Sequence, residues 1–275
     1  MERFSVLITS YRENERLYNL IKTILSDKLR RFIEKIIVVT PDCVKLPKSK
    51  KILLIKEKKR RGRHYAINLG LKKVNTNILV MVDSDIRMRK NFLQYLIKHF
   101  NDPKIGMVTG RPIADKNSNL YPFAKIIWDL HHFLCLKEPK GTAEICAFRK
   151  IFDSIPEVIA DDVFIEYTIK NAGYKLVYEQ LALGYVKIPH SLSYFLYQRS
   201  RCFFSNFEIF QKYKFKSSSM NFKNLLQCTL GYLKSDKKFS TFLMLFLVVQ
   251  FEIFARITGL LHFLVGKNYI VWKKE

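Results

Sequence analysis

The chain has 275 residues and carries 48 Lys and Arg against 24 Asp and Glu, a formal net charge of +24. Its 48% hydrophobic content, with 10 Gly and 8 Pro, excludes a disordered chain and is enough for one large domain with an appendage. The charge favours a polyanionic partner such as nucleic acid, an anionic membrane or a phosphorylated small molecule, and does not choose among them.

Short apolar runs alternate with helical patterns in the first half of the chain. Buried strands are predicted at residues 4–9, 35–40, 51–55, 77–82 and 106–109. Helices are predicted between them at residues 13–29, 63–73 and 91–100. Because the strands are nearly continuous in Val, Ile and Leu, this alternation predicts an α/β fold with a mostly parallel sheet flanked by helices. Ligands of such sheets bind beyond the carboxyl ends of the strands.

The second half of the chain is predicted to be mixed at first and then helical. Helices are expected at residues 123–136 and 162–171, the second ended by Gly173. Beyond Tyr194 the pattern is helical and aromatic, and a polar basic stretch leads to an apolar segment at residues 239–265. We therefore expect a catalytic domain over residues 1–210 and a helical, partly hydrophobic C-terminal region over residues 211–275.

The five cysteines are odd in number, widely spaced and without a CxxC pair. This spacing suggests neither a zinc site nor a disulfide framework, and favours reduced thiols in a cytosolic compartment. The N-terminus runs straight into the first predicted strand, which leaves no room for a signal peptide. We expect the catalytic part to lie in the cytoplasm.

Two carboxylates follow the predicted strand at residues 77–82. Asp83 and Asp85 stand at i and i+2, where a strand that unwinds at the ligand edge can turn both side chains toward one cation. Mg²⁺ and Mn²⁺ prefer carboxylate, water and phosphate oxygens, so such a site can bridge to a diphosphate and stabilise charge on a leaving nucleotide. A solvated capping turn is the alternative interpretation.

Several motifs in this order resemble glycosyltransferase family 2, whose members share the GT-A fold. The opening SVLITSYREN resembles that family's first strand and loop, GRHYAINLG at residues 62–70 resembles its Gly, basic residue and Ala-x-Asn-x-Gly pattern, and Asp83-Ser84-Asp85 falls in the place of its DxD motif. The resemblance implies a metal, Mn²⁺ or Mg²⁺, at Asp83 and Asp85. It also implies a set of donor-nucleotide residues: Tyr11, Glu13, Asp42, Arg63, Asn68 and Asp83.

Motifs further along the chain resemble the acceptor side of the same family. GTAEICAFR at residues 141–149 resembles its acceptor-side loop, Asp161-Asp162 its Glu-Asp motif, and QRSRC at residues 198–202 its Gln-x-x-Arg-Trp motif with Cys in the place of Trp. The resemblance implies that Asp162 is the general base of an inverting transfer. A helix N-terminus would favour its ionised form, and a plain helix cap is the alternative. The residues implied to contact the acceptor or the diphosphate are Asp161, Gln198 and Arg201.

The resemblance predicts an enzyme that moves a sugar from a nucleotide-diphosphate donor to a hydroxyl or phosphate acceptor, with inversion. One hydrophobic segment is too few for a polymer-exporting channel, which favours transfer of a single sugar over processive synthesis. A sugar nucleotidyltransferase is the nearest alternative, although the loop at residues 10–14 lacks the glycines that such an enzyme uses around phosphate. A nucleic-acid-binding protein is a second alternative, which only the positive charge suggests, since no nucleic-acid-binding module is recognisable.

The apolar segment at residues 239–265 is long enough to span a bilayer, but Glu252 and Arg256 lie near its middle and are spaced to pair with each other. Spanning, lying in the headgroup plane and packing on the protein's own core all remain open. Association with an anionic membrane would suit a lipid-linked acceptor at its cytoplasmic face. The flanking basic residues expected to bind anionic lipid are Lys234, Lys237, Lys238, Lys267, Lys273 and Lys274.

Overall fold

A computed structural model describes residues 2–235 and 238–271 of the chain. Its internal contacts divide the chain into two compact units. The first combines the chain up to Pro112 with Lys140–Val186 and a short piece that begins at Ile270, and the second combines Ile113–Pro139 with Lys187–Tyr269. The boundary expected at residue 210 between a catalytic domain and a C-terminal region stays a prediction.

The described residues contain one eight-stranded sheet. In chain order its strands are β1 (Phe4–Thr9), β2 (Ile33–Thr40), β3 (Ile52–Lys56), β4 (Ile78–Val82), β5 (Arg87–Met88), β6 (Ile105–Ala114), β7 (Ile145–Arg149) and β8 (Lys175–Val186). Their order across the sheet is β3-β2-β1-β4-β7-β6-β8-β5. The five strands predicted from the apolar runs are β1, β2, β3, β4 and β6.

The predicted parallel arrangement holds across β3, β2, β1 and β4, which all run in the same direction. Beyond β4 the sheet turns antiparallel, because β7 pairs antiparallel with both β4 and β6, and β5 pairs antiparallel with β8. The α/β fold class is confirmed, with antiparallel strands in the second half of the sheet. Neither β5 nor β8 was predicted, since β5 has two residues and β8 mixes polar with apolar residues.

Helices connect the strands of the first unit. They are α1 (Glu15–Leu25), α2 (Arg63–Leu71), α3 (Phe92–Ile97) and α5 (Asp161–Asn171). The first is shorter than the predicted residues 13–29 because the chain turns at Asp27, whose carboxylate accepts the N–H of Leu29 at 2.9 Å. The last ends as predicted, with Gly173 at a φ of +82° and its N–H donating to the carbonyl of Lys170.

The sheet is covered on both faces, as parallel strands require. On one face Val6 and Ile8 pack with Leu20 of α1 and Phe92 of α3, and all four are buried. On the other face Leu7 packs with buried residues of α2 and α5. Alternate residues of one strand therefore pack into two different cores. Burial of each side chain of this size stabilises the fold by roughly 1.5–3 kcal/mol.

The second unit is helical. It contains α4 (Tyr121–Lys137), α6 (Leu192–Tyr213), α7 (Phe222–Ser235) and α8 (Phe239–Leu264). Its core includes Ile127, Phe195, Tyr232 and Val248, one from each helix. The helical pattern beyond Tyr194 is confirmed by α6, α7 and α8. The bounds of α7 were not predicted, because this helix begins at the end of the polar basic stretch.

Glu252 and Arg256 are spaced to pair along α8, but in the described residues no direct ion pair joins them. Glu252 instead accepts two hydrogen bonds from Arg199 of α6, at 2.6 and 3.1 Å. Arg256 donates to the carbonyl of Ser219 at 3.2 Å. Glu252 therefore pairs with Arg199 because α8 packs against α6, and the spacing of residues along α8 does not determine its partner.

One helix of the described residues, α8, is long and apolar enough to cross a membrane. Among the basic residues expected to flank it, Lys234, Lys238 and Lys267 are exposed. The predicted lipid contacts of Lys237, Lys273 and Lys274 lie outside the described residues.

Replacing Asp27 with Ala should destabilise the first unit. The buried Asp27 carboxylate accepts the N–H groups of Leu29 at 2.9 Å and Leu93, in the first turn of α3, at 3.3 Å. Leaving them without an acceptor should lower the free energy of unfolding by about 1–3 kcal/mol, measured by urea denaturation. Asp27→Asn, which keeps one acceptor oxygen, should lose less, and equal losses in the two variants would contradict this role.

Candidate active site

The candidate site lies at the carboxyl ends of β1 and β4, next to the first residue of α2. Gly62, directly before α2, has a φ of +107°, and a Cβ atom there would lie 2.8 Å from the carbonyl oxygen of Ile270. Both the backbone conformation and the close approach require glycine. This turn starts α2 at Arg63 and brings that side chain to the sheet edge.

Arg63 is the centre of the site. Its guanidinium lies 2.7 Å from Asp83 Oδ1 and 3.1 Å from Asp161 Oδ1, and it also donates to the carbonyl of Ala143 at 3.1 Å. It therefore joins the end of β4, the start of α5 and the loop before β7. Burial alone would lower the pKa of Arg63, but Asp161, Asp83 and Asp162 outweigh it and raise this pKa above its ordinary value. The guanidinium stays charged at any physiological pH.

Five carboxyl groups interact with this guanidinium or with one another: Asp83, Asp85, Glu144, Asp161 and Asp162. Lys140 is a second cation that acts on Glu144 and Asp162. The backbone joins them further, because the N–H of Asp83 donates to the carbonyl of Glu144 at 3.1 Å. Burial and the neighbouring carboxylates raise the pKa of Asp83 well above its usual range, although Arg63 opposes the shift. Burial likewise raises the pKa of Glu144. The cluster has an excess of negative charge and favours binding of a cation.

The surroundings of Asp162 raise its pKa. Burial, followed by the adjacent Asp161 carboxylate, raises the pKa of Asp162 to about 7. The helix N-terminus was expected to favour the ionised form of Asp162, but the pKa is raised by burial and by Asp161. The N-cap position of α5 is taken by Ala160, and it is Asp161 that accepts the N–H of Asp162, at 2.8 Å.

Glu166 positions the loop beside Asp162 and was not singled out in the sequence. It is fully buried in α5, accepts the N–H of Gly141 at 2.8 Å and pairs with Lys170 at 2.6 Å. A Cβ atom on Gly141 would lie 2.5 Å from the carbonyl oxygen of Asp162. The signal in the sequence was Gly141 itself, which allows the loop to approach α5 closely.

The residues predicted to contact the donor base lie around the loop after β1. The Asp42 carboxylate accepts the N–H of Arg12, which has a φ of +53°. The Arg60 guanidinium lies 3.4 Å from the centroid of the Tyr11 ring, and Glu13 is buried. Arg60 was not among the predicted donor residues, because it belongs to a basic run and such runs usually form a solvated face.

Asn68 has a structural partner. Its amide nitrogen donates to the carbonyl of Ile155 at 2.8 Å, and its amide oxygen accepts the N–H of the same residue at 2.8 Å. These two bonds tie α2 to the segment before α5. The expected contact of Asn68 with the donor stays a prediction.

The described residues contain no group of three or more His, Cys, Asp or Glu arranged to hold a metal ion. The oxygen donors nevertheless fit a hard divalent cation. The half-buried Asp85 carboxylate lies beside Asp83, and Asp161 Oδ2 is buried without a hydrogen-bond partner in the described part of the chain. Two aspartates together with phosphate oxygens of a ligand form the kind of set that Mg²⁺ and Mn²⁺ prefer.

The remaining predicted residues belong to the second unit. Gln198 is half-buried on α6. Arg201 follows on the same helix and donates through Nε to the carbonyl of Tyr269 at 3.2 Å. Their expected contacts with an acceptor or a diphosphate stay predictions.

Comparison with known proteins identifies similar chains. The family profile described as Glycosyl transferase family 2 matches residues 5–163. Poly-beta-1,6-N-acetyl-D-glucosamine synthase of Staphylococcus aureus (strain COL) is 23% identical over 225 residues, which cover 73% of this chain and 54% of the synthase. The chain thus spans about half the length of the curated relatives that it matches.

Solved structures share the fold. One is the mannosyltransferase PcManGT from Pyrobaculum calidifontis, in complex with GDP-Man and Mn²⁺. Its TM-score is 0.66 at 15% identity, and the match covers 97% of this chain and 88% of the mannosyltransferase chain. GalNAc-T7 with UDP, GalNAc and Mn²⁺ has a TM-score of 0.50 at 12% identity over 69% of this chain and 44% of its own. At these identities the likeness shows the fold alone, and it confirms the predicted GT-A type.

Replacing Arg63 with Met should destabilise the protein in a pH-dependent way. Without the guanidinium, Asp83 and Asp161 lose their counter-ion, and the free energy of unfolding should fall by about 3 kcal/mol at pH about 8. The folded-state pKa of Asp83 would then lie further above its unfolded value, so the loss should shrink as the pH falls to about 5 and Asp83 binds a proton. Urea denaturation across this range measures it.

Arg63→Lys, which keeps the charge, is the matched control and should lose less at every pH. A loss in Arg63→Met that does not change with pH would show that packing of the side chain is responsible, and that the ion cluster is not.

Proposed function

The chain belongs to Glycosyl transferase family 2, and from this premise we propose that it transfers a single sugar from a nucleotide-diphosphate donor to a hydroxyl or phosphate acceptor. The observation that carries the proposal is the cluster around Arg63. One guanidinium binds both Asp83, which ends β4, and Asp161, which is adjacent to Asp162. Asp83, expected to act on the donor, and Asp162, expected to act on the acceptor, therefore both interact electrostatically with one guanidinium.

Asp83 and Asp85 are the residues that would hold a divalent cation, Mn²⁺ or Mg²⁺. When bound, such a cation neutralises the charge that develops on the diphosphate as the sugar leaves. Two structures of the same fold contain Mn²⁺ together with a nucleotide, which supports this choice. Arg63 is near enough to Asp83 to exchange that partner for a phosphate oxygen of the donor, to which a guanidinium is well matched.

Asp162 is proposed as the general base. It takes the proton from an acceptor hydroxyl while the hydroxyl oxygen forms a bond to the anomeric carbon, the bond from that carbon to the phosphate oxygen breaks, and the nucleoside diphosphate leaves. Attack opposite the leaving group inverts the anomeric configuration. A pKa of about 7 leaves a large ionised fraction of Asp162 while keeping the carboxylate basic enough to accept the proton.

Asp162 also gives a way to identify the class of acceptor. A phosphate monoester acceptor, with a second pKa of about 6, is already mostly deprotonated at neutral pH, so transfer to it should depend little on Asp162. A hydroxyl acceptor should depend on it strongly. The acceptor class can therefore be assigned by comparing the Asp162 dependence of transfer to the two kinds of acceptor.

We place the enzyme at the cytoplasmic face of an anionic membrane, with a lipid-linked acceptor. The apolar helix α8 and the exposed Lys234, Lys238 and Lys267 beside it support this location. Family membership favours sugar transfer over nucleotidyl transfer. A donor diphosphate also accounts for basic residues near Tyr11, such as Arg60, so no nucleic-acid partner is needed to explain them.

Asp162→Asn should abolish transfer to a hydroxyl acceptor and leave donor binding intact. Loss of the base should lower turnover by about 10²- to 10⁴-fold, measured by release of nucleoside diphosphate. In the wild type, turnover should rise with pH through about 7, because the base works only in its deprotonated form. Near-normal turnover in the variant would remove Asp162 from the mechanism.

Asp85→Ala should remove the metal-dependent part of donor binding. In the wild type, a nucleotide sugar at about 100 times its dissociation constant should stabilise the fold by about 2.7 kcal/mol with Mn²⁺ present, seen as a rise in melting temperature. The variant should show the same small rise with or without Mn²⁺. The exposed Asp153 gives the control variant Asp153→Ala, which should behave as the wild type. A full Mn²⁺-dependent rise in Asp85→Ala would contradict the metal assignment.

A further inference from the structure

The helix α8 exposes a long apolar face. Large side chains at helical spacing point away from the rest of the unit and are between 47% and 69% exposed, among them Phe242, Phe246, Ile253, Ile257, Leu261 and Leu264. With 26 residues, the helix is about 39 Å long. A contiguous apolar strip of this length is more than monomeric soluble proteins usually expose, and such surfaces mark contact with a membrane or another protein.

The opposite face of α8 is fixed to the unit's own helices. Leu245, Val248 and Ala255 are buried there. A Cβ atom on Gly259 would lie 2.5 Å from the carbonyl oxygen of Ser200 on α6, so the two backbones are nearly in contact. Because α8 is packed against α6 over much of its length, only one side of it is free to meet a partner.

A polar pair at mid-helix argues against a membrane-spanning orientation. Glu252, close to the middle of α8, is held by Arg199 of α6 through two hydrogen bonds. A spanning α8 would place both charges at the depth where ionisable groups are most costly, and it would draw the polar residues of α6 into the hydrocarbon. Withdrawing α8 from α6 would instead leave both charges without their partner. If the helix lies flat, Glu252 and Arg199 stay paired and neither charge enters the hydrocarbon.

The charges around the exposed face complement an anionic lipid surface. Lys238 directly precedes α8 and Lys267 follows it, so exposed cations stand at both ends of the apolar strip. Lys234, at the end of α7, is exposed as well. Within α8 the sole carboxylate is Glu252, whose charge Arg199 neutralises. An apolar strip between cations suits acyl chains bordered by anionic headgroups. A second copy of the chain is a poorer partner, because the strip offers no acidic groups to pair with the cations of that copy.

We propose that the exposed face of α8 lies flat at the boundary between headgroups and acyl chains of one leaflet of an anionic bilayer, with Lys238 and Lys267 on the headgroups. The helix is thus a one-leaflet anchor and does not span. This inference rests on the membrane association included in the proposed function, and it does not depend on sugar transfer.

Flotation with lipid vesicles tests the surface. The full-length protein should float with vesicles of phosphatidylcholine and phosphatidylserine, and much less with phosphatidylcholine alone or at high salt. Phe246→Asp and Ile257→Asp should each lower the bound fraction by about tenfold or more, because a charge then enters the acyl region. Leu181→Asp is the matched control, since Leu181 is 47% exposed on β8 in the first unit, and it should float as the wild type does.

Depth measurement tests the orientation. Nitroxide labels are placed at Phe242→Cys, Phe254→Cys and Leu261→Cys in a background in which the exposed Cys43 and Cys202 are replaced by Ser. A flat helix should give three similar, shallow depths from the accessibility of each label to oxygen and to a nickel chelate. A spanning helix would separate the first two labels by up to about 18 Å of depth.

Three results would overturn the proposal: label depths spread as for a span, no flotation with any vesicle, or an apolar face covered by a second copy in a concentration-dependent dimer. Hydrolysis of a soluble nucleotide sugar is measured in the same samples. Intact hydrolysis without vesicle binding would refute the anchor alone, and vesicle binding without hydrolysis of any donor would refute the enzyme and keep the anchor.

Discussion

The structure of the candidate site depends on one half-buried guanidinium that is paired with carboxylates. Arg63 is bound by Asp83 and Asp161, which belong to elements nearly eighty residues apart in the sequence, and by the carbonyl of Ala143. Without its charge the sheet edge would hold several carboxyl groups that repel one another. With it, the edge is stable and still has an excess of negative charge. That balance suits a site that alternates between an empty state and one that binds a metal together with a diphosphate.

Positioning of this cluster requires several backbone features. The parallel strands β1 and β4 end at the same edge, which places Thr9 and Asp83 close to the start of α2. Gly62 gives α2 its starting direction, and Gly141, held by Glu166, allows the loop before β7 to lie against α5. Small residues and one buried carboxylate therefore set the geometry in which the charged groups meet.

The sequence was enough to predict the parallel half of the sheet, because runs such as ILVMV are apolar on both faces and end in polar residues. It also pointed to Asp83, Asp161 and Asp162 through motif spacing. It did not reveal β8, whose mixed polarity resembles a loop, or the bounds of α7, which adjoins a basic stretch. The pairing of Glu252 with Arg199 could not be read from the sequence, because a partner 53 residues away is chosen by tertiary packing. For the same reason the double contact of Asn68 with Ile155 was invisible to motif comparison.

The central claim is that the Arg63 cluster receives a metal and a nucleoside diphosphate. The most direct measurement is a crystal structure of the full chain soaked with a nucleoside diphosphate and Mn²⁺, with the metal located from its anomalous scattering. The account predicts a Mn²⁺ peak bound by Asp83 and Asp85 and bridged to the diphosphate, with Arg63 turned toward a phosphate oxygen. A nucleotide bound elsewhere, with Arg63 still paired to Asp83 and no metal beside it, would contradict the account.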